Sequence, residues 1–326
     1  MIDNPWLHRL AVLTASMTWL LLCAGALVTG TGSGLAVPDW PLSYGQFFPP
    51  MVGGVLFEHG HRLVAGSVAI LMSLLCGFLW IAEPRSWVRW LGTAGLFAVL
   101  TQAVLGGLTV LFRLPTAVSV SHACLAQVFF SITVLLALVT SASWHRPMVL
   151  SVEEEYRSWF PKLCLATTGM LLLQLAMGAV MRHTGSGLAI PDFPTVFGHW
   201  WPESFSFPIA IHFAHRMGAY LSVILVSTLA VVVVSRYFTQ FHLTLFAGVL
   251  VSAVLFQVML GASILWLKRP LLLTTLHLAV GAICLASSVS LTLIAFRLHG
   301  LGIQPAIWWE NLRRADLNLG PRGVET

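Results

Sequence analysis

The chain has 326 residues, 57% of them hydrophobic and 9% charged, with a mean hydropathy of +0.86. That is too apolar for an ordinary water-soluble protein, and runs of about 20 apolar residues are what a bilayer-spanning helix requires. The net charge of +5 is carried by thinly spread basic residues in short loops, which speaks against a nucleic-acid surface and bears instead on membrane orientation.

In chain order, apolar runs fall at about 10–30, 61–82, 87–112, 117–142, 161–182, 211–235, 240–266 and 272–297. Each is expected to be a helix, because backbone groups in hydrocarbon must be satisfied within their own segment. The first run is long enough to be a retained span rather than a cleaved signal. Between the fourth and fifth runs, the stretch 143–160 carries Glu153, Glu154 and Glu155 and reads as a solvated linker. With the N-terminus inside, the inner side collects Arg9, Arg85, Arg89, Arg146, Arg157, Lys162, Arg236, Arg297, Arg313, Arg314 and Arg322. The outer side keeps Arg62, Arg113, Arg182, Arg216, Lys268 and Arg269, so both termini are expected in the cytoplasm.

The two halves repeat. The 17 residues from Gly25 to Pro41 align with Gly178 to Pro194 at 11 identical positions. Downstream, His61-Arg62 matches His215-Arg216, Gln102 and Gly106 match Gln257 and Gly261, and His122 matches His277. Four helices per half is an even number, so the copies run parallel across the membrane, unlike an inverted transporter repeat. The expected fold is therefore an all-α membrane protein of eight transmembrane helices in two parallel four-helix-bundle repeats. Its parts are a repeat at 1–145, a linker at 146–160, a second repeat at 161–300 and a cytoplasmic tail at 301–326.

Each half brings two histidines near the outer face: His61 and His122, then His215 and His277. A low-spin heme takes two neutral imidazoles from facing helices of such a bundle. One intramembrane histidine alone would suit a helix-to-helix hydrogen bond or a proton path equally well. Four in duplicated register point to heme iron. The five cysteines form no CxxC pair and read as small packing residues.

The copies differ where Glu58 of the first half is replaced by His212. Glu58 lies three residues before His61, on its side of the helix. It reads either as an acid/base or charge-stabilising group, or as a carboxylate that orients an imidazole. Arg62 and Arg216, directly after the ligands, could each meet a heme propionate or snorkel to headgroups. The Thr31–Gly34 and Thr184–Gly187 segments, followed by Pro38-Asp39 and Pro191-Asp192, suggest a lid over each heme edge, with Trp40, Tyr44, Phe47, Phe48, Phe193, Phe197, Trp200 and Trp201 in the lid or the interfacial belt.

The doubled loop, the Glu58-x-x-His61-Arg62 helix start and the four histidines on eight helices together resemble the heme A synthase family, over about residues 19–297. The resemblance implies oxidation of the C8 methyl of heme O to a formyl group through successive hydroxylations, for use in terminal oxidases. It implies His215 and His277 as axial ligands of a resident heme b, His61 and His122 around the substrate heme, and Glu58 as the catalytic carboxylate. It also implies a bacterial plasma-membrane location. As partners it implies a heme O synthase, a ferredoxin-like or quinol electron donor, and a heme-copper oxidase that receives the product. Many bacterial members carry a cysteine pair in the first outer loop, and residues 31–57 here contain none. Two other readings stay open from the residues alone: a diheme electron-transfer cytochrome b, which would use both histidine pairs alike, and a heme or small-molecule transporter.

Overall fold

A computed structural model describes residues 4–145 and 154–299, with side chains from 159 onward in the second segment. The expected tail at 301–326 with Arg313, Arg314 and Arg322, and most of the linker with Arg146, Glu153 and the side chains of Glu154, Glu155 and Arg157, lie outside the described residues.

The described residues form eight helices long and apolar enough to cross a membrane, and no named strand. They are α1 (Pro5–Gly30), α2 (Gly54–Ala82), α3 (Ser86–Leu111), α4 (Thr116–Val139), α5 (Glu154–His183), α6 (Phe207–Arg236), α7 (Phe241–Trp266) and α8 (Leu271–Leu298). Their 24–30 residues give lengths of roughly 36–45 Å at 1.5 Å per residue, enough for a hydrocarbon core about 30 Å thick. Side chains such as Ile70, Phe97 and Val231, all more than 60% exposed, cover the outside of the bundle with apolar surface that water would not tolerate in such quantity. The protein is a multi-pass membrane protein.

Local chemistry explains the helix ends. Asn4 caps α1 by accepting from the backbone N–H of Trp6 and Leu7 (3.1 and 3.2 Å), with Pro5 in the first turn. Pro115 and Pro270 precede α4 and α8. The two short connections before those helices turn through residues in the left-handed region, Arg113-Leu114 (φ 57° and 62°) and Lys268-Arg269 (φ 54° and 65°). The α1–α2 and α5–α6 connections are long by contrast, and each folds back through a small turn, Ser43 with Gln46 and Val196 with His199.

α1, α2, α3 and α4 pack in a closed ring, as do α5, α6, α7 and α8. The rings meet where α8 touches α1 and α4, and where α4 touches α5. α8 can serve two neighbourhoods because its buried face is rich in small residues, among them Ala279, Gly281, Ala282, Cys284, Ala286, Ser287, Ser288 and Ser290. Thr168 of α5 bonds Ser288 and Thr292 of α8 at 2.7 and 2.9 Å, and the Trp19 indole of α1 donates to the Ala279 carbonyl at 3.1 Å.

One boundary differs from expectation in a way that matters. α2 begins at Gly54 and α6 at Phe207, one to two turns earlier than the apolar runs suggest. The polar residues Glu58, His59 and His212 disguise those first turns as loop, but tertiary contacts satisfy them. His61 and His215 thus stand seven and eight residues inside their helices (61−54 and 215−207), not within one turn. His122 and His277 stand six inside theirs (122−116 and 277−271), so all four lie roughly 9–12 Å from a helix start.

Candidate functional site

The four imidazoles all point into the bundle at one end. His61 and His122 lie in each other's electrostatic field, and so do His215 and His277. Each ring is backed by a glycine on the preceding helix. A Cβ on Gly25 would sit 3.1 Å from Cε1 of His61, and one on Gly178 would sit 3.1 Å from Cε1 of His215. For Gly106 against His122 the distance is 3.3 Å, and for Gly261 against His277 it is 3.6 Å. Absence of a side chain at these positions lets each ring lie flat on its neighbour's backbone. Nδ1 of all four is buried without a hydrogen-bond partner, a costly arrangement that packing alone does not explain. This donor set fits heme iron, two imidazoles per site from facing helices.

Three of the four histidines are also held through their backbone. The side-chain amides of Gln102, Gln174 and Gln257 donate to the carbonyls of His122, His215 and His277 at 2.8, 2.8 and 2.6 Å. The first half has Leu21 where the second has Gln174, so His61 lacks this brace.

Glu58 is buried, 4% exposed. Its Oε2 accepts from the backbone N–H of Val37 at 2.8 Å, and its Oε1 accepts from Arg62 at 2.7 Å. His212 does the equivalent work in the second half, where its Nδ1 accepts from the backbone N–H of Ile190 at 3.2 Å. The substitution between the halves therefore keeps one function, capping the returning loop, and changes one property, the buried negative charge. His59 adds a further bond in the first half only, Nδ1 to the Ser43 hydroxyl at 2.7 Å; Phe213 takes its place in the second half, packed against Trp201 and Phe205.

Arg62 and Arg216 point at the loops. Arg62 donates to the carbonyls of Asp39 and Leu42 at 2.7 and 2.8 Å as well as to Glu58. Arg216 donates to the carbonyls of Thr195, Ile190 and Asp192 at 2.8, 3.0 and 2.6 Å and has no carboxylate among the described residues within ion-pair distance. Both guanidinium groups are thus engaged in fixing the segment that covers the histidines. The carboxylates expected at loop turns do similar work. Asp39 accepts from the N–H groups of Tyr44 and Gly45, and Asp192 from those of Phe197 and Gly198 and from the Thr195 hydroxyl. Partial burial acts to raise the Asp192 carboxyl, but these donors prevail and hold it at about 2, below its usual 3.8. Of the loop aromatics, Trp40 packs on Gly107 beside the His122 site, whereas Phe47, Phe48 and Trp200 are more than three-quarters exposed.

Residues 52–289 match a family model described as COX15-CtaA, cytochrome oxidase assembly protein. The chain belongs to this family. It is similar to the heme A synthase of Shouchella clausii, 28% identical over 264 residues that cover 79% of this chain and 86% of the relative. The heme A synthase of Halalkalibacterium halodurans is 28% identical over 286 residues, 85% of this chain and 93% of the relative. That of Bacillus pumilus is 32% identical over 193 residues, 58% of this chain and 62% of the relative.

Within this family member, the structure gathers His61, His122, His215 and His277 at one end of the bundle, with Glu58, Arg62 and Arg216 turned to the loops, and adds several residues that were not assigned a role. Gly25, Gly106, Gly178 and Gly261 were visible only as identical positions of the repeat. That identity was the available signal, since glycine inside a helix needs a packing reason. Gln174 had no such signal, because its counterpart is Leu21.

Proposed function

We propose that this protein is a heme A synthase that oxidises the C8 methyl of heme O to the formyl group of heme A. The observation that carries the reading is the pairing of two alike histidine sites with a single buried carboxylate, Glu58, beside one of them. In this reading the first half, residues 1–145, takes the substrate heme between His61 and His122. The second half, residues 161–300, holds a resident heme b between His215 and His277. The histidine end faces the outer side of the bacterial plasma membrane, with the termini cytoplasmic, as the distribution of basic residues favours.

A bound heme b supplies one-electron transfer. The chain's own residues do the rest. His61 and His122 fix the plane of the substrate, with Gly25 and Gly106 setting the tilt of their rings. Loop 31–53, pinned by Arg62 and Glu58, covers the site and restricts water. Glu58 is placed to stabilise positive charge or take up a proton when the methyl carbon is oxidised. Two hydroxylations of the same carbon give a geminal diol, which loses water to leave the formyl group. The electron donor serving the second half would be of ferredoxin-like or quinol type, and the product would pass to a heme-copper oxidase.

The test is pigment analysis. The chain is expressed with a heme O synthase, and the extracted hemes are separated with mass detection. Heme A or its hydroxylated precursor is expected only when the chain is present. Heme b alone, with heme O unchanged, would sink the synthase reading in favour of a diheme electron carrier.

A further inference from the structure

Arg182 and Arg269 are cations that the second half has and the first half lacks. Under the register of the two copies, Arg182 occupies the position of Thr29 and Arg269 that of Leu114. The second equivalence is visible in the backbone, because Leu114 and Arg269 both adopt a left-handed conformation and donate to the carbonyls of Thr109 and Ile264, five residues back. Arg182 sits in the last turn of α5. One of its terminal nitrogens donates to the Ala26 carbonyl of α1 at 2.9 Å and lies beside Gly30, against which Leu271 at the start of α8 also packs. The guanidinium thus stands where α1, α5 and α8 converge, at the histidine end. Its charge acts on His277, and the charge of Arg269 acts on it.

This pair lacks a counter-charge. Neither arginine has a described carboxylate within ion-pair distance, and Arg182 makes one hydrogen bond from five available donors. Arg182 is half-buried and Arg269 exposed, and like charges at one junction oppose each other unless an anion joins them. Directly after Arg269 comes the N-terminus of α8, whose unpaired N–H groups also favour negative charge. Meanwhile Arg62 and Arg216, the cations next to the ligands, are occupied by loop carbonyls. A heme held by His215 and His277 would carry carboxylate side chains that need cations, and Arg182, with one bond made, and Arg269 are cations of the same half at the histidine end with donors still open.

We infer that Arg182 and Arg269 form a carboxylate-binding site that anchors the heme of the second half, and that its absence from the first half, where Thr29 and Leu114 stand, leaves the heme there free to exchange. The inference rests on the proposed division between a resident and a substrate heme. It supplies a physical cause for that division: matched histidine pairs alone would hold both hemes alike. Arginine suits the role because its planar fork meets a carboxylate with two parallel hydrogen bonds.

The experiment measures transfer of heme b from the purified protein to excess apomyoglobin. The variants are Arg182→Thr and Arg269→Leu, each installing the first-half residue, with Arg182→Lys as the conservative control. Arg269→Leu removes no other side-chain bond, so it keeps the test standing if Arg182→Thr, which loses its bond to Ala26, fails to fold. Release is expected to quicken about tenfold or more in each, the size of a lost charge-assisted hydrogen bond, with Arg182→Lys in between and a lower midpoint potential in the charge-removing variants. Protein reconstituted with heme dimethyl ester, whose carboxylates are blocked, should release its pigment fast and be insensitive to both substitutions. Unchanged release from the variants would overturn the inference while leaving the heme reading intact. So would equal release of heme and its ester, which would give the arginines to a lipid headgroup instead. A wild-type protein that holds no heme would overturn both.

Discussion

The two halves solve one packing problem and diverge in chemistry. Around His61 and His122, as around His215 and His277, glycine-backed rings stand at the same depth under a loop tied down by an arginine. The differences are few and local. The first half has a buried acid at Glu58, a polar latch from His59 to Ser43, and no glutamine under its first histidine. The second has His212, Phe213 and Gln174 at those positions, together with two extra cations. The scaffold that aims four imidazoles is shared. In the proposed reading, what would distinguish a reacting site from a holding site is the charge and bracing around it.

The sharpest way to break that comparison is to exchange the acid. Glu58→His installs the second half's residue, which still offers Val37 an acceptor, and Arg62 keeps its loop carbonyls much as Arg216 does without a carboxylate. The variant should fold and retain heme b while heme A formation falls by about a hundredfold or more, in the range of a lost acid/base group. Retained heme A output would show that Glu58 only holds the loop. His212→Glu, the reverse exchange, should leave the resident heme in place.

The glycines provide a graded test. A Cβ at Gly25 or Gly178 meets its ring closely enough that the ring must tilt, whereas at Gly261 it makes ordinary contact. Gly178→Ala should destabilise by about 1–3 kcal/mol, as overpacking does, and shift the electron paramagnetic resonance signal of the second-half heme. Gly261→Ala should shift it least. Equal shifts at the two positions would refute glycine contact as the control on ring orientation.

A smaller effect concerns the brace. Gln174→Leu gives the second half the residue of the first and removes a bond to the His215 carbonyl. Thermal melting should show a loss of about 0.6–1 kcal/mol, and Leu21→Gln should recover part of it on the other side. The smallest effect is acid sensitivity of the second loop. The Asp192 carboxyl is held at about 2, so the stability it contributes is complete above its usual 3.8 and is lost as pH falls through about 2. Tryptophan fluorescence from Trp200 and Trp201 should stay flat between pH 6 and 4 and change below, and Asp192→Asn should abolish that change.

The eight spans and the four clustered histidines were legible in the linear chain, because a bilayer demands long apolar runs and because a duplicated pattern marks its repeated positions. Even the register of the copies, down to Arg113 with Lys268, follows from counting. Helix starts at Gly54 and Phe207 were not legible: polar residues at 58, 59 and 212 belong to helix only because a loop folds back to satisfy them. The partners of Glu58, Arg62 and Arg216 were not legible either, since each bond joins residues 20 or more positions apart or turns on which way a side chain points. Nor could spacing alone place Arg182 against the Ala26 carbonyl of α1. Apolar periodicity is a local property written in one dimension, whereas the contacts that turn alike histidine pairs into unlike sites depend on which helices converge, and only packing decides that.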